Sequence, residues 1–269
     1  MSSVYEAYEK FIEKRLKIID KQGQEVPFLL NAPQKKFIEL ATGKDIILKA
    51  RQEGFSSEVG GIFTADFILD PNSQSVVIAD ITDNAIGLLD KVKYYLKSYE
   101  EIMGFKIPLK YNSKYELVNE VLNSKYQVGT AENVEFGRSK TIKNLHMSEA
   151  FFYKHFRKLL ASALQAVRPD GRVVIESTAN GFNEGKEFWD DSVAGLTGFN
   201  ALFFKASDFY TPEFLEGKKK ELGKLYPQEY PDTPEEAFLN SGDVYFDRES
   251  LKYYGSLISE PIKDNLIYV

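Results

Sequence analysis

Short apolar runs alternate along the chain with longer stretches whose apolar residues recur every three or four positions. The first stretch, residues 4–20, sets Val4, Tyr8, Phe11, Ile12, Leu16 and Ile19 at helical spacing among charged residues. Asn31-Ala-Pro-Gln-Lys-Lys-Phe-Ile-Glu-Leu reads as a capped helix start with Asn31 at the N-cap. Strand-type runs follow at Ile46–Leu48, Val76–Ile81, Tyr126–Gly129, Ile142–Met147, Val173–Glu176 and Ala201–Lys205. Helices are expected near 56–69, 83–103, 113–122, 149–166 and 184–193. This alternation predicts an α/β fold with a mostly parallel central sheet flanked by helices. From about Ser207 the strand signals fade, and Pro212, Pro227, Pro231 and Pro234 fall among charged helical pieces. That change predicts a small C-terminal helical lid subdomain. The expected division is a core with an N-terminal helical segment over 1–206, a lid and linker over 207–255, and the start of a further linker over 256–269.

Composition narrows the function classes. With 269 residues, 43% of them hydrophobic, the chain can bury a sizeable core. A formal net charge of −6 argues against a protein that coats nucleic acid with its whole surface, so any DNA contact must use a local patch. The absence of cysteine removes disulfide frameworks and thiolate zinc sites and suits an intracellular setting. Two histidines argue against a His-rich metal site. The N-terminus is charged and helical in pattern, unlike a signal peptide. No apolar run approaches the ~20 residues of a membrane span, so no membrane association is expected.

Candidate chemistry collects where strand-type runs end. Ile46–Gly60 reads IILKARQEGFSSEVG, a strand, a glycine-containing turn and a helix start. It resembles G-x-x-x-x-G-K-[ST], in which lysine reaches the β/γ-phosphates and the hydroxyl holds Mg²⁺. Gly54 and Ser56 are in register, Phe55 stands at the lysine position, and Lys49 stands where the first glycine would be. Lys49 is placed to neutralise phosphate charge, Arg51 to add a second cation and Ser56 to reach Mg²⁺. The backbone of Ala50, Arg51, Gln52, Glu53, Gly54, Phe55, Ser56 and Ser57 would form the anion cradle. An ordinary strand-to-helix turn reads the same way in isolation. In P-loop ATPases the strand beside the loop ends in an acidic pair, one member holding Mg²⁺ and the next polarising water. Here Ser148 and Glu149 take those places, and an N-cap followed by a first-turn acid is the plainer alternative. Val173–Gly181, VVIESTANG, ends in small polar residues, of which Ser177, Thr178 and Asn180 are candidates for sensing hydrolysis. Gln34 lies upstream of the loop with an amide suited to an adenine edge, or simply to solvent. Arg138, in the polar turn Phe136-Gly-Arg-Ser-Lys, is either a solvated arginine or one offered to a neighbouring subunit's site. Tyr94, Tyr95, Tyr99 and Phe105 are expected to pack in the core.

Taken together, these segments resemble the ATPase region of the large terminase subunit of tailed bacteriophages. Lys49-Ala-Arg-Gln-Glu-Gly-Phe-Ser-Ser is similar to that family's deviant Walker A motif with its lysine at the front. Leu145-His-Met-Ser-Glu-Ala resembles its Walker B, Ser177-Thr-Ala-Asn-Gly its coupling motif, Gln34 its adenine-recognition residue and Arg138 its trans-acting arginine. Thr233-Pro-Glu-Glu-Ala-Phe-Leu-Asn-Ser-Gly with Phe246 resembles the segment closing the ATPase region. The resemblance covers roughly 28–250. It implies an ASCE-type P-loop NTPase fold, ATP and Mg²⁺ as cofactors, and hydrolysis driving double-stranded DNA into a procapsid. Catalysis would fall to Glu149, Lys49, Arg51 and Arg138, with Mg²⁺ supported by Ser56 and Ser148, partly through water. Implied partners are DNA, further copies in a ring, the portal protein and the small terminase subunit, all in the host cytoplasm. Phe55 and Ser148 depart from the family pattern. The family's C-terminal RNase H-like nuclease domain is expected to begin where this chain stops, so nuclease activity is not expected here. Two other readings stay open: a helicase-type P-loop translocase, and a nucleotide-binding assembly module without turnover.

Overall fold

The strand-type runs do form strands, and their pairing sets the position of every candidate group. The computed structural model describes residues 2–133, 141–239 and 248–258. In chain order the elements are α1 (Ser2–Arg15), β1 (Lys17–Ile19), β2 (Glu25–Pro27), α2 (Ala32–Leu40), β3 (Lys44–Lys49), α3 (Phe55–Leu69), β4 (Gln74–Ala79) and α4 (Thr82–Met103). Then come β5 (Leu109–Asn112), β6 (Glu116–Asn119), β7 (Lys125–Thr130), β8 (Ile142–Ser148), α5 (Phe156–Leu164), β9 (Val167–Ser177), α6 (Glu184–Val193) and β10 (Asn200–Phe204). The last are α7 (Pro212–Leu222), α8 (Tyr226–Glu229), α9 (Pro234–Leu239) and α10 (Arg248–Ser256).

The main sheet has the order β10-β3-β9-β8-β4-β7-β6-β5. From β10 to β7 every neighbouring pair is parallel, and β6 and β5 add an antiparallel edge. Parallel strands need cover on both faces, and the two-residue period supplies it. Ile47, Val77 and Val174 face one core with residues of α1 to α4, whereas Ile46, Leu48, Val76 and Ile175 face a second core with residues of α5 and α6. The C-terminal ends of β3, β9 and β8 consequently meet along one edge of the sheet, where ligands bind in open α/β folds.

Several expectations change. The helix over 4–20 stops at Arg15, and Lys17–Ile19 pairs with Glu25–Pro27 instead. The Lys17–Glu25 ion pair at 2.6 Å and the Asp20 carboxylate, which accepts from Gln22 N and Gln24 N, fix that hairpin. The expected helix at 113–122 is the β6 region: the Ser113 hydroxyl accepts from Tyr115 N and Glu116 N, and Leu117 and Val118 are buried in the edge strand. The stretch 149–166 is broken. Glu149 takes a left-handed conformation, a short 3₁₀ turn covers Ala150–Phe152, and α5 begins only at Phe156. The Tyr153 hydroxyl, bonded to Ile78 O and Ser148 O, pins the break. The strand beside the loop strand is β9, not the Ser148-Glu149 strand, which lies one place further out.

The C-terminal helices are present as expected. Tyr210, Phe214, Tyr226 and Tyr230 pack together around Ala50 and Ala206, with the Tyr210 and Phe214 rings stacked at 4.4 Å. Ala237 and Phe238 of α9 are buried in the second core, the Phe238 ring lying 5.9 Å from that of Phe151.

Candidate active site

The loop after β3 hangs from the N-terminus of α2. Asn31 and Gln34 form a reciprocal capping box there. Their amides also reach the loop: Asn31 Nδ2 donates to Glu53 O at 2.9 Å and Gln34 Nε2 to Gly54 O at 2.8 Å. Gln34 is therefore buried behind the loop, with its amide oxygen accepting from Asn31 N. Gly54 sits at φ +90°, and a Cβ there would lie 2.9 Å from Gln34 Nε2, so the turn needs glycine twice over. The helix it opens has no side-chain cap, leaving its first amides to face the cleft.

Phe55, at the position of the usual lysine, turns away from that cleft. It is fully buried, its ring 4.6 Å from Phe204 and 6.2 Å from Phe37. The cation comes from Lys49 instead. Its Nζ lies 3.0 Å from Glu149 Oε1 and 3.1 Å from Glu176 Oε2. Glu176, the last but one residue of β9, is fully buried. Its Oε1 accepts from Ser148 Oγ at 2.6 Å and Ser56 Oγ at 2.8 Å, and lies 3.3 Å from His146 Nε2. Burial alone would raise the Glu176 carboxyl. The Lys49 charge, with hydrogen bonds from His146 and Ser148, outweighs burial and holds it well below the usual range. Burial likewise opposes the Lys49 ammonium, but Glu176 and Glu149 raise it above its ordinary value. Both hydroxyls expected to support Mg²⁺ thus converge on a carboxylate that the motif reading passed over.

Glu149 is the hinge of the arrangement. Its φ of +54° is strained for a residue with a side chain. That turn carries its carboxylate over Lys49, and Thr178 N and Thr178 Oγ1 approach Glu149 Oε2 at 3.3 and 3.4 Å. The rest of the polar stretch after β9 holds the turn behind Glu149. Ser177 Oγ accepts from Phe151 N, and the side-chain amides of Asn180 and Asn183 donate to Phe151 O. Glu53 has its carboxyl buried, with neither oxygen hydrogen-bonded, and burial pushes it up to about 9. Arg51 is paired with Glu229 of α8 at 3.1 Å. Arg51 N donates to Glu229 O, Tyr210 OH donates to Arg51 O at 2.6 Å, and Gln228 Nε2 donates to Ala179 O at 3.2 Å. The helical segment after β10 is thereby clasped to both the loop and the polar stretch. Arg138 lies outside the described residues, as do Phe246 and the three residues that follow Leu239 in the closing segment.

A cleft of about 500 Å³ runs along the loop, between the β1–β2 hairpin and α3. A second cavity of about 310 Å³ adjoins it beyond Ser56 and Glu149 and is lined by Asp80 and Ser148. Sequence reasoning brought Lys49, Gly54, Ser56, Ser57, Ser148, Glu149 and Thr178 to this place, and the structure does assemble them. It missed Glu176, the one acid in VVIESTANG, and Lys91 of α4, whose Nζ donates to Ser57 Oγ at 3.2 Å.

No protein-family profile and no curated protein matches the chain in sequence. Solved structures do. The ATPase domain of the Thermus phage P74-26 large terminase superposes with a TM-score of 0.58 at 18% identity, covering 74% of this chain and 92% of that one. The HK97 bacteriophage large terminase gives 0.65 at 18% identity, covering 82% of this chain and 52% of its own. The fold is that of a large-terminase ATPase domain. The large terminase of the thermophilic bacteriophage D6E, in complex with ATP-gamma-S, gives 0.55 at 10% identity over 74% of this chain and 51% of its own. This chain therefore spans about half the length of the HK97 and D6E terminases it matches. The terminase-type fold places the β3 loop, Glu149 and the end of β9 on one edge of the sheet, as the strand order requires.

Proposed function

We propose that this chain is the ATPase module of a viral DNA-packaging motor, hydrolysing ATP to drive double-stranded DNA into a procapsid. The observation that carries the reading is Lys49, a buried ammonium at the mouth of a glycine loop, bridging Glu149 and Glu176. Support comes from the terminase-type fold and from the nucleotide analogue held by the D6E protein.

The chemistry follows from the partners. The β- and γ-phosphates settle on the first amides of α3 and compete with the carboxylates for Lys49. Once Lys49 faces phosphate, Glu149 is released to orient and polarise the attacking water. Thr178, at Glu149 Oε2, feels that change first, and Ser177 and Asn180 pass it to the turn at Phe151. Arg51 adds a cation at the loop, and Gln34, whose amide is engaged at both ends by Asn31 N and Gly54 O, sets the loop from behind in place of the adenine contact its motif position implied. The oxygen donors Ser56 and Ser148, with Asp80 and Glu149 lining the adjoining cavity, suit a hard cation held largely by water and phosphate. Mg²⁺, when bound, neutralises charge on the phosphate oxygens. Arg138 is the arginine offered to the next subunit of a ring, a contribution of ~10³–10⁵ in rate for such residues. No helix among the described residues is long and apolar enough to cross a membrane; the proposed place of work is the portal in the host cytoplasm. The small terminase subunit and portal protein are the proposed partners. We assign 1–206 to the motor core and 207–255 to the lid.

Steady-state hydrolysis and fluorescent-nucleotide binding test this reading. Glu149→Gln is expected to lower turnover by about 10²-fold or more while binding stays within a few-fold. Lys49→Ala is expected to weaken both. Normal turnover by Glu149→Gln would overturn the catalytic assignment, and a wild type that binds no ATP would overturn the function.

A further inference from the structure

Lys91 lies on α4, outside every motif read from the sequence, yet its ammonium reaches the first turn of α3 and donates to Ser57 Oγ at 3.2 Å. The two cavities at the site share three lining residues: Ser56, Glu149 and Lys91. A nucleotide entering along the loop has its terminal phosphate at that junction, because Glu149, which addresses the water, stands there.

At the junction the other cations already have partners. Lys49 faces two carboxylates, so that three-residue cluster carries a net negative charge. Arg51 is paired with Glu229. Phe55 is in the core and brings no cation. Lys21, at the far end of the cleft, lies over the Phe209 and Tyr210 rings and does not border the second cavity. Among the described residues Lys91 is thus the cation at the junction that has no carboxylate partner within ion-pair distance. Its surroundings register as well. The Glu176 and Lys49 charges both act on its ammonium, in opposite directions. The ammonium sits within electrostatic reach of the site's central pair, in a place where incoming phosphate would be the missing counter-charge.

We propose that Lys91 is a catalytic cation acting in cis, contacting the γ-phosphate at the junction of the two cavities and supplying from α4 the charge that Phe55 does not. This inference rests on the ATPase reading. Lys91 leaves Ser57 Oγ for a γ-phosphate oxygen when a triphosphate binds, and a diphosphate does not reach it. It therefore discriminates ATP from ADP and stabilises the charge that develops during transfer.

The experiment is nucleotide binding by calorimetry, with ADP and with the β,γ-imido analogue of ATP, on wild type, Lys91→Met and Lys91→Arg, together with kcat and KM. Lys91→Met is expected to weaken the triphosphate analogue roughly 10–100-fold, the loss of one charge-assisted bond, and to leave ADP within about 2-fold. It should lower kcat as well, and Lys91→Arg should restore most of the discrimination. Lys91 is exposed, so thermal midpoints of the variants should match wild type. Equal losses for both nucleotides, or an unchanged ratio, would overturn the inference while leaving the ATPase reading intact. A wild type that bound neither nucleotide would bring down both.

Discussion

Replacing Lys49 by Met isolates the electrostatics of the site from its chemistry. Methionine is close in length and fills the same space, so the change removes charge with little change in volume. In the wild type Lys49 is 4% exposed and Glu176 is 0% exposed, whereas the Glu149 side chain keeps 33% of its surface. Without Lys49, Glu149 can turn to water, but Glu176 cannot. It keeps hydrogen bonds from Ser56 and Ser148 and loses its counter-charge. Breaking a buried pair by removing one partner costs about 3–5 kcal/mol, roughly 6–20 °C in thermal midpoint for a chain of this size. The cost has a pH signature. In the wild type the folded-state pKa of Glu176 is depressed, so its contribution to stability is present above the unfolded carboxylate range and is lost as pH falls through the folded value. In Lys49→Met burial dominates and the folded pKa rises, so stability falls as pH climbs through and above the carboxylate range. The deficit of the variant should therefore be small near about pH 4 and largest near about pH 8. Thermal unfolding followed by circular dichroism at both values measures it. The double variant Lys49→Met/Glu176→Gln, which removes both charges, should recover most of the loss. A deficit equal at the two pH values, or a double variant no better than the single, would refute the assignment of the buried pair.

Two other outcomes follow from the loop. Phe55→Lys, which restores the usual motif letter, should destabilise the fold by at least about 3 kcal/mol, because the side chain enters the Phe37–Phe204 pocket, and should not rescue hydrolysis in Lys49→Ala. Denaturant unfolding and turnover of the double variant check both halves. Glu53 has a folded pKa raised to about 9, so the unfolded chain releases a proton that the folded chain keeps, and wild-type stability should fall by roughly 1.4 kcal/mol per pH unit between the carboxylate range and about 9. Buried Glu58, raised well above the carboxylate range by desolvation, adds a slope of the same sign. Glu53→Gln should therefore lessen the fall by its own share, which unfolding midpoints of wild type and variant across the window measure.

The loop was legible in the sequence because its demands are local. Gly54 is needed for a positive φ and Ser56 for a hydroxyl in the first helical turn, and both needs leave a fixed spacing. The direction of Phe55 was not legible, since it depends on Phe37 and Phe204 from distant elements. Glu176 stayed hidden for a related reason. A parallel strand covered on both faces reads as a continuous apolar run, and an acid at its end looks like a residue turning to solvent. Its hydroxyl partners lie 120 and 28 residues away in the chain. Chain order also says nothing of the insertion of β9 between β3 and β8, which is what brings Glu176 beside Lys49. At 113–122, Leu117, Val118, Val121 and Leu122 mimic helical spacing, and pairing with β7 overrides it.

The clasp between the C-terminal helices and the site has a consequence for how such a chain diverges. Arg51 N, Arg51 O and Ala179 O are main-chain atoms, and they take up Glu229 O, the Tyr210 hydroxyl and the Gln228 amide. An alanine scan across 50–54 and 177–181 would leave all three bonds in place and, of this clasp, remove the Arg51–Glu229 ion pair, so it would understate how far those loops depend on the helices. Drift in the loop side chains leaves these three main-chain bonds untouched. Whatever residues come to occupy positions 51 and 179 inherit the connection, provided position 51 is not proline.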